Sequence, residues 1–333
     1  MIALLHLLRG APRCWRRSAA LACCASLLSA SAAAGAPAKI GVLLKGDTDF
    51  WAAAEAGCRD AARQAGVEIV VRRPQLESDI DGQIRLLGEM ADQGISALVI
   101  APCSGTALSG PVAAVAAKGV KIVVIDSPLD LDVPAYIATN HTNAGAAAGA
   151  LLGSLVDAGD EVAIVRHSHT SGANLLRESS AYAAIYAAHP GIVVHRDLYA
   201  GEVPGQELPR VRTLFARYPN TRAVLCSSTP VSMAMLQALQ ASGRPGAVKF
   251  VGFGFNLNST VAAGIEQGWI SGWVSQLPGE VGARGVNTAL ALLRHESVPE
   301  VAYCDFRVIT KDNLHTPEVQ ALLPAAGAPP AGP

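Results

Sequence analysis

The strongest constraint on the fold is an alternation that runs from Lys39 to about residue 294. Short β-branched apolar runs are each followed by a longer Ala-rich stretch, and several of these stretches stop at a glycine. Lys39–Leu44 (KIGVLL) reads as a strand, Phe50–Ala65 as a helix stopped by Gly66, and Val67–Val71 as the next strand. Asp79–Gln93 carries Ile80, Ile84, Leu87 and Met90 at helical spacing before Gly94. Ala97–Ile100, a helix over 107–118 before Gly119, and Lys121–Ile125 continue the series. After Tyr136–Thr139 the pattern restarts, with strands at Glu161–Arg166, Ile192–Leu198, Ala223–Cys226, Lys249–Phe253 and Ile270–Ser275. Helices over 173–188, 206–217, 231–241, 258–267 and 280–294 separate and follow them. Helices of this length make the crossovers that parallel strands need, and continuous apolar strands suit a sheet covered on both faces. The expected fold class is α/β: two doubly wound parallel-sheet (Rossmann-like) lobes whose strand C-termini face a shared cleft.

The first 36 residues stand outside this pattern. They hold Arg9, Arg13, Arg16 and Arg17 and no Asp or Glu, then an apolar run from Ser18 to Leu28 and a small-residue stretch to Ala36. That order is the one of a secretory signal peptide, with cleavage expected after Ala34. The apolar run is too short for a membrane span of about twenty residues. Cys23 and Cys24 admit a lipoprotein signal and Arg16-Arg17 a twin-arginine one, each with a poor surrounding motif. Export removes four of the 26 basic residues and none of the 27 acidic ones, leaving the mature chain near −5. With no basic excess, no nucleic-acid partner is expected. Cys58, Cys103, Cys226 and Cys304 remain, either as buried thiols or as disulfides in one of three pairings. The Pro/Gly/Ala-rich tail over 323–333 is expected to be disordered.

Catalytic signatures are missing. The chain has no G-x-S-x-G, no Walker loop and no G-x-G-x-x-G after the first strand, so it is not expected to be an enzyme or to hold a cofactor. His167-Ser168-His169 has zinc-like spacing but no local carboxylate, and reads as a solvated turn rather than a metal site. The strand ends offer hydrogen-bonding and stacking groups instead. Phe50 and Trp51 open the first helix; Asp126 ends KIVVID; Arg177 lies early in a helix; Gln276 follows GWVS. Their placement on the same side of both sheets points to a cleft for a small polar ligand.

From Lys39 to Leu322 the chain resembles the periplasmic binding proteins of type 1, the ribose/galactose class of ABC transporters. The likeness is carried by KIGVLL with DFWAAAEAGCRDAARQAGVEIVV, by DIDGQIRLLGEMADQGISALVIAP, by GVKIVVID, by IATNHTNAGAAAG, by FVGFGFNLNSTVAAGIEQGWI and by WVSQLPGEVGARGV. The resemblance implies a ligand shell of Thr48, Phe50, Trp51, Asp126 and Ser127 from the first lobe and Arg177, Ser228 and Gly254 from the second. It places Gln276 at a hinge, and Lys45 and Asp47 could add charge. Three departures from the pentose-binding pattern stand out: Ser127 replaces an Arg, Ser228-Thr229 an Asn-Asp, and Gly254 an Asp that holds sugar hydroxyls. No second-lobe stacking aromatic is evident, with Tyr199 and Glu202 as nearby candidates. The implied lobes are 37–139 plus 276–302 and 140–275 plus 303–322, crossed near Thr139-Asn140, Ser275-Gln276 and Tyr303–Asp305. The implied function is a monomeric periplasmic receptor. It closes on a sugar, polyol or similar molecule and presents it to an ABC permease, or alternatively to a membrane histidine kinase as trimethylamine-N-oxide sensors do.

Overall fold

The computed structural model describes residues 38–255 and 257–323; the expected signal peptide and the tail from residue 324 lie outside them. The first half runs β1 (Lys39–Leu43), α1 (Asp49–Ala65), β2 (Glu68–Arg72), α2 (Ile80–Asp92), β3 (Ala97–Ile100), α3 (Gly105–Ala116), β4 (Lys121–Ile125) and β5 (Tyr136–Thr139). The second runs α4 (His141–Gly153), β6 (Glu161–Val165), α5 (Gly172–Ala188), β7 (Val193–His195), α6 (Glu207–Arg217), β8 (Thr221–Cys226), α7 (Thr229–Ala241), β9 (Lys249–Phe255), α8 (Ser259–Glu266) and β10 (Gly272–Gln276). Then come α9 (Pro278–Leu293), β11 (Val301–Cys304), β12 (Phe306–Ile309) and α10 (Pro317–Gln320).

Two six-stranded sheets result, in the orders β2-β1-β3-β4-β5-β11 and β7-β6-β8-β9-β10-β12. All pairings are parallel except β10 with β12. In each sheet the first strand in sequence sits between the second and third, which opens a crevice at its C-terminal end. Both faces of both sheets are covered at their centre, and this is why central strands such as β3 and β4 are apolar along almost their whole length. Ile40, Val42, Val99 and Ile125 pack on Trp51 and Ala54 of α1 and Val286 of α9. Leu43, Leu98 and Ile100 pack on Leu87 and Met90 of α2 and Leu108 of α3. In the second lobe Val165, Val224 and Phe250 face α6, α7 and α8, while Ile164, Val251 and Phe253 face α4 and α5.

The chain passes between lobes three times: from β5 into α4, from β10 into α9, and from β11 to β12. Helices α4 and α5 pack backbone to backbone. A Cβ at Gly145 or Gly149 would lie 2.3 Å from the carbonyl oxygen of Arg177 or Ala181, so only glycine lets the two backbones touch. That contact sets the start of α4 beside Arg177.

Several boundaries differ from the expectation. β7 is an edge strand paired with β6 only over Val193–His195, not the seven residues anticipated; the chain then swings away and rejoins at the Arg166–Tyr199 bridge. β9 continues past Phe253 because Phe255 pairs with Gln276 of β10. β11 and β12 have no counterpart in the sequence pattern; they are short, half-exposed edge strands without a continuous apolar run. α4 carries no periodic signal because HTNAGAAAGALLG is almost uniformly small.

Cys58, Cys103, Cys226 and Cys304 are free and buried. Burial pushes Cys58, Cys103 and Cys304 up to about 12 and also raises Cys226. Thiols held protonated and out of water react slowly. Iodoacetamide labelling followed by mass mapping should therefore leave these four unmodified in the folded protein and modify all four in guanidinium; rapid labelling under native conditions would contradict the burial.

Candidate functional site

The C-terminal ends of the strands of both sheets converge on one cavity of about 420 Å³. From the first lobe it is lined by Lys45, Asp47, Thr48, Asp49, Phe50 and Trp51 after β1, by Gln75, Leu76 and Glu77 after β2, and by Asp126 after β4. From the second lobe come His167 after β6, Asn174 and Arg177 of α5, Glu202 after β7, Ser228 and Thr229 after β8, Phe255 at the end of β9 and Gln276 at the end of β10.

Nine of the eleven residues singled out from the sequence thus line one cavity; Ser127 and Gly254 do not. Ser127 is buried behind Asp126, bonded to Lys45 Nζ and to Asp126 Oδ2 (3.0 Å). Gly254 lies under the indole of Trp273, where a Cβ would come within 2.1 Å of the ring. Its carbonyl accepts from Gln276 Nε2 at 3.5 Å. The Gly254 position therefore has no room for a side chain.

A line of buried charged groups crosses the floor of the cleft. Lys45, only 1% exposed, reaches Asp126 Oδ2 at 3.1 Å and Ser171 Oγ of the other lobe at 3.4 Å. Burial alone would raise the Asp126 carboxyl, but the charge of Lys45, backed by that of Arg177 and by the hydrogen bond from Lys45, holds it down at about 2. Asp126 also has a left-handed φ of 61°, uncommon for a residue with a side chain. Arg177, 4% exposed, donates to His141 Nδ1 (3.1 Å), Ser227 O (3.0 Å) and Gln276 Oε1 (2.6 Å). Burial lowers its guanidinium from the usual position, with Asp126 and Glu178 opposing that shift.

The walls are aromatic. Phe50 meets Trp51 edge-on at 4.9 Å and, across the cleft, Phe255 at 5.6 Å. Trp51 Nε1 donates to Glu77 Oε1 at 2.8 Å. Glu77 in turn lies 3.7 Å from His167 Nε2 of the opposite lobe, and His167 Nδ1 is 3.1 Å from Ser228 Oγ. Burial would raise Glu77, but the hydrogen bond and charge of His167, the charge of Lys45 and the Trp51 N–H together hold it below the usual carboxylate range.

Sequence reasoning missed Glu77, His167, Asn174 and Phe255 as cleft residues. Phe255 is the second-lobe aromatic for which Tyr199 was the candidate. Tyr199 instead stacks on His169 at 3.5 Å and bonds Arg166. Its neighbour Glu202 does line the cleft, bonded to His169. The expectation of a solvated His167-Ser168-His169 turn holds for His169 but not for His167, which is 6% exposed. Among the described residues no group of three or more His, Cys, Asp or Glu is placed to hold a metal. Asp47 sits at the rim, paired with Arg73 Nε at 2.9 Å.

Two α/β lobes with a triple crossing and a cleft lined from both sides are the architecture of a two-lobed binding protein. A profile of the family described as "Periplasmic binding protein domain" matches residues 40–297, and the chain belongs to that family. It is 26% identical over 270 residues to the D-allose-binding periplasmic protein of Escherichia coli K12, covering 78% of this chain and 86% of that protein. It is 27% identical over 288 residues to the D-ribose/D-allose-binding protein of Pseudomonas aeruginosa, covering 82% and 88%. Among solved structures it is similar to a carbohydrate transporter solute binding protein of Agrobacterium radiobacter in complex with D-arabinose, at a TM-score of 0.80 and 27% identity over 86% and 99% of the two chains. It is also similar to the periplasmic component of an ABC-type sugar transport system from Hahella chejuensis, at a TM-score of 0.77 and 27% identity over 82% and 99%. The type 1 resemblance and the fold class read from the sequence are thereby borne out. These relatives are solute-binding proteins, which fits a role in binding rather than catalysis.

Proposed function

We propose that the protein is the periplasmic solute receptor of an ABC importer, exported by its first 36 residues, and that it captures a monosaccharide or polyol in the interlobe cleft. The observation that carries this reading is the pairing, around one cavity of about 420 Å³, of aromatic faces from both lobes (Phe50, Trp51, Phe255) with buried polar groups from both (Lys45, Asp126, Arg177, Gln276). Apolar sugar faces stack on aromatic rings while hydroxyls bond fixed charged groups. The cavity lies within the range of pre-formed small-molecule sites. Because the groups come from two lobes joined by three strands of chain, a ligand touching both favours the closed state by its differential affinity. Hinges near Thr139-Asn140, Ser275-Gln276 and Tyr303–Asp305 belong to this proposal, as do action as a monomer and delivery to a permease.

The relatives' named ligands (D-allose, D-ribose and D-arabinose) set the first panel, with xylitol as the polyol and trimethylamine-N-oxide as the sensory alternative. Binding stabilises by RT ln(1 + [L]/Kd), about 2.7 kcal/mol at a hundredfold excess over Kd, so a true ligand should raise Tm by roughly 5 °C or more. A panel in which only trimethylamine-N-oxide shifts the transition would move the assignment to the sensory reading.

A further inference from the structure

His141 is the first residue of α4, where the chain enters the second lobe, and it is 2% exposed. Its ring stands between two groups that face the cleft from opposite lobes. Nε2 is 3.0 Å from the backbone oxygen of Asp126, which can only accept, so Nε2 carries the proton. Nδ1 is 3.1 Å from Nε of Arg177, which can only donate, so Nδ1 is bare. The two partners together select one neutral tautomer.

Each contact fixes a polar arm of the cleft. The carbonyl of the left-handed Asp126 is held by two donors, Tyr136 Oη at 2.8 Å and His141 Nε2 at 3.0 Å. That turn aims the carboxylate at Lys45. On the other side, His141 Nδ1 is the acceptor for Arg177 Nε, while the remaining guanidinium bonds go to Asn174, Ser227 and Gln276. We infer that His141 is a positioning residue: a neutral imidazole that ties the first-lobe Asp126 to the second-lobe Arg177, so that the two polar arms of the cleft are set by one ring at a chain passage.

The groups around the ring are Arg177 from α5, Asp126 from the end of β4, whose Oδ1 lies 3.7 Å from Nε2, Tyr136 of β5 through its bond to the Asp126 carbonyl, and Lys45 from the segment after β1, which acts on the ring as a nearby charge beyond Asp126. A doubly protonated ring would press an N–H against the Arg177 N–H and add a cation at a helix N-terminus. Burial and Arg177 accordingly push His141 down to about 3, against the pull of Asp126. The ring stays neutral throughout the range in which a periplasmic protein works.

Side-chain chemistry separates the two contacts. In His141→Asn the amide oxygen takes the place of Nδ1, keeping the acceptor for Arg177 and dropping the bond to Asp126. His141→Gln reaches the Nε2 position, with the opposite result. His141→Leu removes both. In ¹⁵N-labelled protein, the wild type should show an Nε2–H imidazole unchanged from pH 8 to 4.5, assigned by its loss in His141→Asn. A protected Arg177 Nε–H signal should be present in wild type and His141→Asn and absent in His141→Gln and His141→Leu. Titration of this imidazole near pH 6.5, or persistence of the Arg177 signal in folded His141→Leu, overturns the inference. The consequence for binding rests on the sugar-receptor reading. With D-allose, D-ribose and D-arabinose as probes, His141→Leu should raise Kd at least a hundredfold and His141→Asn should return it to within about tenfold of wild type. If His141→Leu is folded and binds like wild type, the positioning role is refuted. If no probe binds wild type, it is the receptor reading that fails, and the NMR signals still decide the role of His141.

Discussion

Replacing Arg177 with alanine is expected to abolish ligand-induced stabilisation and to lower the stability of the unliganded protein by about 2–4 kcal/mol. Its guanidinium is nearly inaccessible and serves four acceptors: His141 Nδ1, Asn174 Oδ1, Ser227 O and Gln276 Oε1. Truncation leaves these buried acceptors without their donor, at a cost of roughly 1–3 kcal/mol for each that water cannot reach. The gain from no longer burying a guanidinium offsets part of this, which keeps the net loss below the sum. Binding suffers more than stability, because the same fork fixes Gln276 at the cleft and balances Asp126. Kd for whichever panel sugar binds should rise a hundredfold or more. Arg177→Lys should not rescue it, since one ammonium cannot span His141, Ser227 and Gln276 together. Urea unfolding and calorimetric titration read the two effects separately; unchanged affinity in Arg177→Ala would remove Arg177 from the site.

The range over which each signal acts decides how much of this site is legible in the sequence. The strand–helix alternation is local, so both sheets can be read from it, and strand C-termini give Phe50, Trp51, Asp126, Arg177 and Gln276 their common side. Partnerships between lobes leave no local trace. Glu77 sits in a loop without periodicity, yet it meets Trp51 from an earlier segment of its own lobe and His167 from the other. His167 reads as a solvated turn because the carboxylate that faces it lies ninety residues earlier in the chain. Phe255 escapes because the continuous apolar run ends at Phe253, and only register with Gln276 carries β9 onward. His141 opens a helix of small residues whose burial comes from backbone contact with α5, which no hydrophobic pattern records. Gly254 shows the converse: its missing carboxylate is visible in the sequence, but not that Trp273 fills the space.

Lys45→Met should cost about 3–5 kcal/mol at neutral pH, and the cost should shrink as the solution is acidified. Lys45 and Asp126 form an almost fully buried ion pair at 3.1 Å, and removing one member strands the other charge. In the wild type Asp126 sits at about 2, below its ordinary 3.8, so its contribution of ~2 kcal/mol is complete above pH 4 and is lost as pH falls toward 2. Without Lys45 the burial that already acts on Asp126 loses its main opponent, and the folded-state carboxyl rises well above its wild-type position. A carboxyl raised in this way takes up its proton at higher pH than the wild-type group does. Between the two positions the variant gains stability relative to wild type as pH falls. Urea denaturation at pH 7.5 and pH 4.5 should therefore show a smaller deficit at the lower pH. The double variant Lys45→Met/Asp126→Asn, in which neither member of the pair is left behind as a charge, should recover part of the loss at pH 7.5 and show little pH dependence in its deficit over that range. A deficit that stays constant or grows on acidification would mean that Lys45 acts through packing on Trp51, whose ring centroid is 5.6 Å from Nζ, rather than through the charge of Asp126. The pair also sets the chemistry of the cleft: with Asp126 kept ionised by Lys45, its carboxylate can only accept hydrogen bonds at the first-lobe wall.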